Sequence, residues 1–96
     1  MAAYAIYHQI EVTDPDGWDE YRSRIREELA GFGARVIAAD PEPKVMEGEW
    51  TGVRNVIIEF PDMDTLERWH KSDDYKPLLE LRQAAARGNL IAVNGV

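Results

Sequence analysis

Three apolar residues in a row, Val56-Ile57-Ile58, lead into Glu59-Phe60-Pro61 and then into a stretch with helical periodicity. Successive side chains of a strand point to opposite faces, so an unbroken apolar run predicts a strand covered on both sides. Pro61 closes it, because proline gives no N–H to a ladder. Asp62 or Asp64 then caps a helix whose inner stripe is Met63, Leu66 and Trp69 or His70. Ser72-Asp73 reads as a turn and a fresh cap. A second helix follows, carrying Tyr75, Leu78, Leu79, Leu81 and Arg82, with Pro77 accommodated in its first turn. Gly88 is expected to end that helix, and Leu90 to Val93 reads as a last strand.

Upstream, Tyr4 to Val12 alternates as a strand, with Tyr4, Ile6, His8, Ile10 and Val12 on one face and Ala5, Tyr7, Gln9 and Glu11 on the other. Thr13 or Asp14, followed by Pro15, opens a helix. Its apolar stripe is Trp18, Tyr21, Ile25 and Leu29, and Gly31 marks its end. Gly33 to Ala39 is a second strand, interrupted by Asp40-Pro41-Glu42-Pro43. Lys44 to Glu47 is expected to resume extended structure, and Glu49 to Val53 to connect to a third strand over Arg54 to Phe60. The order is β-α-β-β-α-β, that of an α+β ferredoxin-like sandwich: an antiparallel sheet with its helices on one face, in a single domain spanning residues 1–96. Helices on one face leave the other bare. A second copy of the same sheet is the economical cover, which predicts a homodimer.

Composition narrows the functions. The formal charge is −7, from 11 basic and 18 acidic residues. Nucleic-acid and anionic-membrane surfaces need clustered Lys and Arg, so neither partner is expected. The 96 residues contain no cysteine, which removes disulfides, thiolate catalysis and zinc–cysteine sites. Two histidines without close ligand spacing make no metal site. No GxGxxG, GxxxxGKS or GxSxG occurs, so no cofactor is called for. The opening MAAYAIYHQIEV has no basic region before an apolar run, and no segment approaches the roughly 18 apolar residues of a membrane span. A cytoplasmic protein is the expectation.

EFPDMDTLERWHKSDDYKPLLELRQAA, preceded by GARVIA and EGEW and followed by NGV, resembles the small proteins catalogued as domain of unknown function 1330. The most specific parts are Glu59-Phe60-Pro61, Trp69, Ser72-x-x-Tyr75 and Arg82 at their relative spacings. The resemblance covers essentially the whole chain and implies the dimeric α/β-barrel group. That group includes cofactor-free monooxygenases, haem-degrading enzymes, lactone isomerases and stress-responsive proteins, whose ligands generally sit between sheet and helices. This chain has Trp69-His70 where the family commonly has Trp-Tyr. It has Ser72-Asp73-Asp74-Tyr75 where Ser-Pro-Glu-Tyr is common. The family has no settled activity, so the resemblance transfers no reaction.

Arg82 is the most informative single residue. Its spacing from Tyr75, Leu78 and Leu79 points it inward with the apolar stripe, where a guanidinium needs acceptors. It reads either as the anchor of a ligand carboxylate or as a structural bridge to Glu59 or Glu47. Tyr75, Trp69, Tyr21, Arg35 and Glu59 complete the candidate ligand-binding set, the tyrosines because a buried hydroxyl needs a partner. The same aromatic residues at helical spacing also read simply as core. His8, Glu47 and His70 are the candidate proton-transfer groups, and each has an alternative role as a core or surface residue. A small-molecule pocket is the leading functional reading. Cofactor-independent oxygenase or isomerase chemistry is one alternative, and a non-catalytic stress-response or structural module another. Haem handling would require His8 or His70 to open onto a large apolar cleft.

Overall fold

The computed structural model describes residues 1–96. The elements are β1 (Ala3–Val12), α1 (Pro15–Ala30), β2 (Arg35–Asp40), β3 (Arg54–Phe60), α2 (Met63–Lys71), α3 (Lys76–Ala85) and β4 (Ala86–Asn94). The four strands form one antiparallel sheet in the order β2-β3-β1-β4. This is the ferredoxin-like α+β arrangement, and all three helices lie against one face.

Alternation along β1 decides that face. Ala3, Ala5, Tyr7 and Gln9 are buried under the helices, while Tyr4, Ile6, His8 and Ile10 are half-buried on the other side. Small residues at positions 3 and 5 let the helices approach, and α1 brings down Trp18, Tyr21, Ile25 and Leu29, the buried stripe predicted from spacing. Asp14 caps α1 by accepting from the Gly17 N–H at 3.2 Å. Asp62 caps α2 by accepting from the Thr65 N–H at 2.7 Å. From the sheet and α2, Phe60 and Trp69 meet at 5.2 Å between ring centroids, and Tyr75 lies 4.1 Å from Trp69. All three are essentially inaccessible to solvent.

α1 does end at Gly31, which caps it with backbone that is still helical, and the turn that follows uses Gly33, at φ 68°. Three local expectations need correction: the strand over Lys44 to Glu47, the end of α3 and the start of β4. Lys44 to Glu47 forms no strand: the segment between β2 and β3 pairs with no neighbour there, and Pro41 and Pro43 remove two donors. Its far end is pinned by the Val53 N–H donating to the Gln9 carbonyl at 2.8 Å. Finally, α3 ends at Ala85, not Gly88, and β4 begins at once. The Ala85 carbonyl accepts from the Thr13 N–H (2.8 Å), the Asp14 N–H (3.0 Å) and the Thr13 hydroxyl (3.2 Å). Ala86 is already extended and pairs with Val12. Gly88 sits inside β4, where a Cβ would lie 2.6 Å from the His8 carbonyl oxygen and 2.8 Å from the Tyr7 ring.

On the sheet face away from the helices, the register aligns three rows across the strands. Ala38, Ile57, Ile6 and Ile91 make an apolar row. On one side of it lie Arg35, Glu59, Tyr4 and Val93, and on the other Asp40, Asn55, His8 and Asn89. Ile91 is 56% exposed and Val93 37%. The double burial anticipated for β3 is thus half complete within one chain: Ile58 is buried under the helices, while Ile57 is half-buried in the bare row. No helix is long and apolar enough to cross a membrane.

Candidate functional site

The helices and sheet do not close completely on each other. Between them is an apolar cavity of about 120 Å³ lined from every strand and helix, including Tyr7 of β1, Tyr21 of α1, Trp69 of α2 and Arg82 of α3. Its walls come mainly from apolar and aromatic side chains such as Trp18, Ile25, Val56, Ile58 and Leu90. It opens where α1 leaves the β2 edge uncovered, and there Arg22, Arg26 and Ala39 are exposed.

Arg82 is 8% exposed. The chain's ion pairs are Arg22–Asp19, Arg35–Glu59, Arg68–Asp64 and Arg87–Glu11, so no carboxylate neutralises it. Its Nε is buried without a hydrogen-bond partner. The guanidinium carbon lies 4.7 Å from the centroid of the Tyr7 ring, a cation–π contact. Burial pulls the Arg82 pKa down, but the hydroxyls of Tyr75, Tyr21 and Tyr7 outweigh burial and raise it above its ordinary value. Arg82 therefore carries its charge at any physiological pH.

Tyr21 and Tyr75 share a buried hydrogen bond, with 2.8 Å between their hydroxyl oxygens. Ser72, the residue that closes α2, positions Tyr75: its hydroxyl accepts from the Tyr75 N–H at 3.1 Å and donates to the Trp69 carbonyl at 2.8 Å. Burial raises the pKa of both tyrosines, so both keep their protons at neutral pH. The Tyr7 hydroxyl and the Trp69 indole N–H are also buried without partners. Four of the chain's eight arginines (22, 26, 54 and 82) line this cavity, and no Asp or Glu does. The site offers positive charge and hydrogen-bond donors in an apolar surround.

Of the residues singled out from sequence, Arg82, Tyr75, Trp69 and Tyr21 come together here. Glu59 and Arg35 do not. They pair with each other at 3.3 Å on the bare sheet face, where Glu59 also accepts from the Tyr4 hydroxyl at 3.3 Å. The bridge from Arg82 to Glu59 or Glu47 is therefore absent, the sheet separating Arg82 from Glu59. Glu47 is exposed in the segment between β2 and β3. His8 is on the bare face, bonded through Nε2 to the Thr51 carbonyl and 4.8 Å from Trp50 between rings. His70 is exposed on α2 and borders a separate outer depression of which Arg82 forms part of the wall. Burial, then the charges of Arg82 and Lys71, lower its pKa. Neither histidine opens onto the apolar cavity. Sequence reading missed Tyr7, Arg22, Arg26 and Arg54. Tyr7 alternates with Ala5 and Gln9, and Arg22 and Arg26 each follow a residue of the α1 stripe, so the signals were periodicities on the flanks of elements already recognised.

Residues 2–96 match the family described as domain of unknown function DUF1330. The chain belongs to that family. No curated protein matches it. Solved structures resemble this DUF1330 chain in fold. One is a protein of unknown function from Rhodopseudomonas palustris, RPA0582, with 15% identity, a TM-score of 0.76, and coverage of 99% of this chain and 82% of the other. A dimeric ferredoxin-like protein of unknown function from Jannaschia sp. CCS1 gives 9% identity, a TM-score of 0.74, and coverage of 99% and 100%. SnoaB, a cofactor-independent oxygenase from Streptomyces nogalater, gives 10% identity, a TM-score of 0.66, and coverage of 99% and 92%.

Proposed function

We propose that this DUF1330 protein binds one compact organic anion in the cavity between helices and sheet, with Arg82 as the charge anchor. The observation that carries this reading is a buried arginine with no carboxylate partner beside an apolar cavity. A buried charge left unpaired is costly, and an anionic ligand supplies what the chain does not. The volume sets the size. An engineered apolar cavity of about 150 Å³ accepts benzene, so this one, at about 120 Å³, suits a single ring or a branched chain of similar bulk. The ionisable side chains lining it are arginines and tyrosines, with no carboxylate or imidazole among them. The cavity is built to give hydrogen bonds and positive charge rather than to accept a proton, which favours binding over acid–base turnover within it.

The bare sheet face supports a second element of the proposal. An isoleucine row flanked by polar rows has the anatomy of an interface core and rim, and a second copy of the chain would cover it sheet to sheet. The dimeric neighbour from Jannaschia supports that choice of occupant. Light scattering at micromolar concentration should give twice the 10.9 kDa chain mass, and Ile57→Glu should give a monomer. A wild-type monomer would overturn the dimer.

Benzoate titration tests the pocket, read by calorimetry and by the fluorescence of Trp18 and Trp69, which line it. Saturable 1:1 binding per chain, weakened about tenfold or more in Arg82→Met, is expected. Equal binding of benzoate and uncharged benzamide would show that Arg82 is not an anion anchor.

A further inference from the structure

The cavity continues past Trp18 into a shallower groove that shares Trp18, Arg22 and Arg54 with it and adds Gln9, Val12 and Val53. In this groove the cations differ. Arg22 is already neutralised by Asp19 at 2.8 Å, and Asp19 itself borders the groove. Arg54 makes no ion pair, and its guanidinium carbon lies 5.9 Å from the centroid of the Trp18 ring. Beside it on β1, Gln9 is 1% exposed, and its side-chain Nε2 has no hydrogen-bond partner. A buried amide donor without an acceptor costs stability that a ligand oxygen would recover.

Two unneutralised arginines are therefore joined by two stacked rings. Arg82 lies against Tyr7, Tyr7 is 6.3 Å from Trp18 with the rings 28° from parallel, and Trp18 lies against Arg54. Each end of this ladder also has a buried donor lacking an acceptor, at Arg82 Nε and Gln9 Nε2. We infer that Arg54 and Gln9 form a second anion subsite, and that the ligand is a dianion: an apolar body with acidic groups at both ends, lying along Tyr7 and Trp18. This deepens the proposed function and rests on Arg82 being an anion anchor. An apolar tail would leave Arg54 and Gln9 without acceptors and a neutral polar one would leave the Arg54 charge unpaired, whereas a second carboxylate would meet both. Arg54 has an open position toward solvent at the groove, so the outer group would be the more weakly held of the two.

The test compares benzoate, terephthalate, the two homologues of terephthalate with one and two extra methylenes in one arm, and the monomethyl ester of each diacid at its outer carboxylate. Each ester keeps the shape and loses one charge. The tightest diacid should bind wild-type protein at least tenfold more strongly than its ester and than benzoate. Arg54→Met and, separately, Gln9→Leu should reduce that advantage to under threefold, and Gln9→Leu, at a residue outside the inner cavity, should leave benzoate affinity unchanged. Circular dichroism of each variant confirms the fold, and the two variants on different strands guard against one failing to fold. If benzoate binds and depends on Arg82 but no diacid outbinds its ester, the second subsite is refuted and the first reading stands. A diacid advantage that survives both substitutions also refutes it. If neither benzoate nor any diacid binds, both readings fall.

Discussion

Arg82→Met separates stability from binding, because the two depend on different properties of the same side chain. Methionine keeps much of the stem that packs beneath α3 and removes the charge. Two stability terms then oppose each other. The variant loses the contact with Tyr7, worth about 0.5–2 kcal/mol for a cation over a ring. It also no longer buries an unpartnered Nε, which as an unsatisfied donor costs about 1–3 kcal/mol. The unfolding free energy should therefore stay within about 2 kcal/mol of wild type. Had Arg82 been half of a sealed ion pair, its removal would cost about 3–5 kcal/mol. Binding has no such compensation. A charge-assisted hydrogen bond is worth about 1.5–3 kcal/mol, and each 1.4 kcal/mol is about a factor of ten, so benzoate affinity should fall roughly 10- to 150-fold. Urea unfolding by tryptophan fluorescence measures the first quantity, at one fixed protein concentration because association contributes to apparent stability. Calorimetric titration measures the second. Destabilisation beyond about 3 kcal/mol would show that Arg82 has a structural partner, and unchanged benzoate affinity would remove it from the site.

The Tyr21–Tyr75 hydroxyl pair should behave as a unit. Either Tyr→Phe change strands a buried hydroxyl and should cost about 1–2 kcal/mol, and the double variant should cost less than the sum in a double-mutant cycle. His70 gives a pH signature. Its folded pKa lies below the ordinary histidine value of about 6.5, so as pH falls the unfolded chain takes the proton first. His70 therefore weakens the fold as pH drops below about 6.5, until the folded protein also binds the proton, and has no such effect at higher pH. Subtracting the urea midpoints of His70→Gln from those of wild type between pH 8 and pH 5 should isolate that decline; no difference in slope would contradict it. Gly88→Ala should destabilise by about 1–3 kcal/mol through overpacking, since the added Cβ meets the β1 backbone and the Tyr7 ring. An unchanged unfolding midpoint would mean that β1 and β4 separate there without cost.

What could be read from the sequence was what is encoded locally. The α1 stripe needs only helical spacing, and Asp62 caps α2 from three residues away. Ser72 does the same for Tyr75. The inward direction of Arg82 likewise follows from its place three and four residues beyond Leu79 and Leu78. Errors arose where the deciding partner is distant. The end of α3 depends on Thr13 and Asp14, not on the nearest glycine. Lys44 to Glu47 has strand-like residues but no strand beside it. Whether a carboxylate reaches Arg82 is a question about three dimensions that spacing could not settle. Glu59 is a different case: it alternates with Ile58 and Phe60, so once those two are known to face the helices, Glu59 must face away. The charges at the cavity mouth were hidden by a net charge of the opposite sign, because a sum over the chain conceals a local concentration of arginine.

The Ala85 carbonyl has a consequence for how the pocket can move. Three donors from the corner between β1 and α1 hold the last residue of α3, and Gly17 of α1 packs close to Ala85 there, where a Cβ would lie 3.1 Å from the Ala85 methyl. The start of one helix and the end of the other are thus riveted together one turn from Arg82. Separating α1 from α3 to admit a ligand would have to pivot about that rivet, like covers about a spine. In such a movement the Arg82 end of the cavity would keep its width, and the edge near Arg22 and Arg26 would swing most. A ligand would then enter past the exposed arginines and be measured for fit against the buried one.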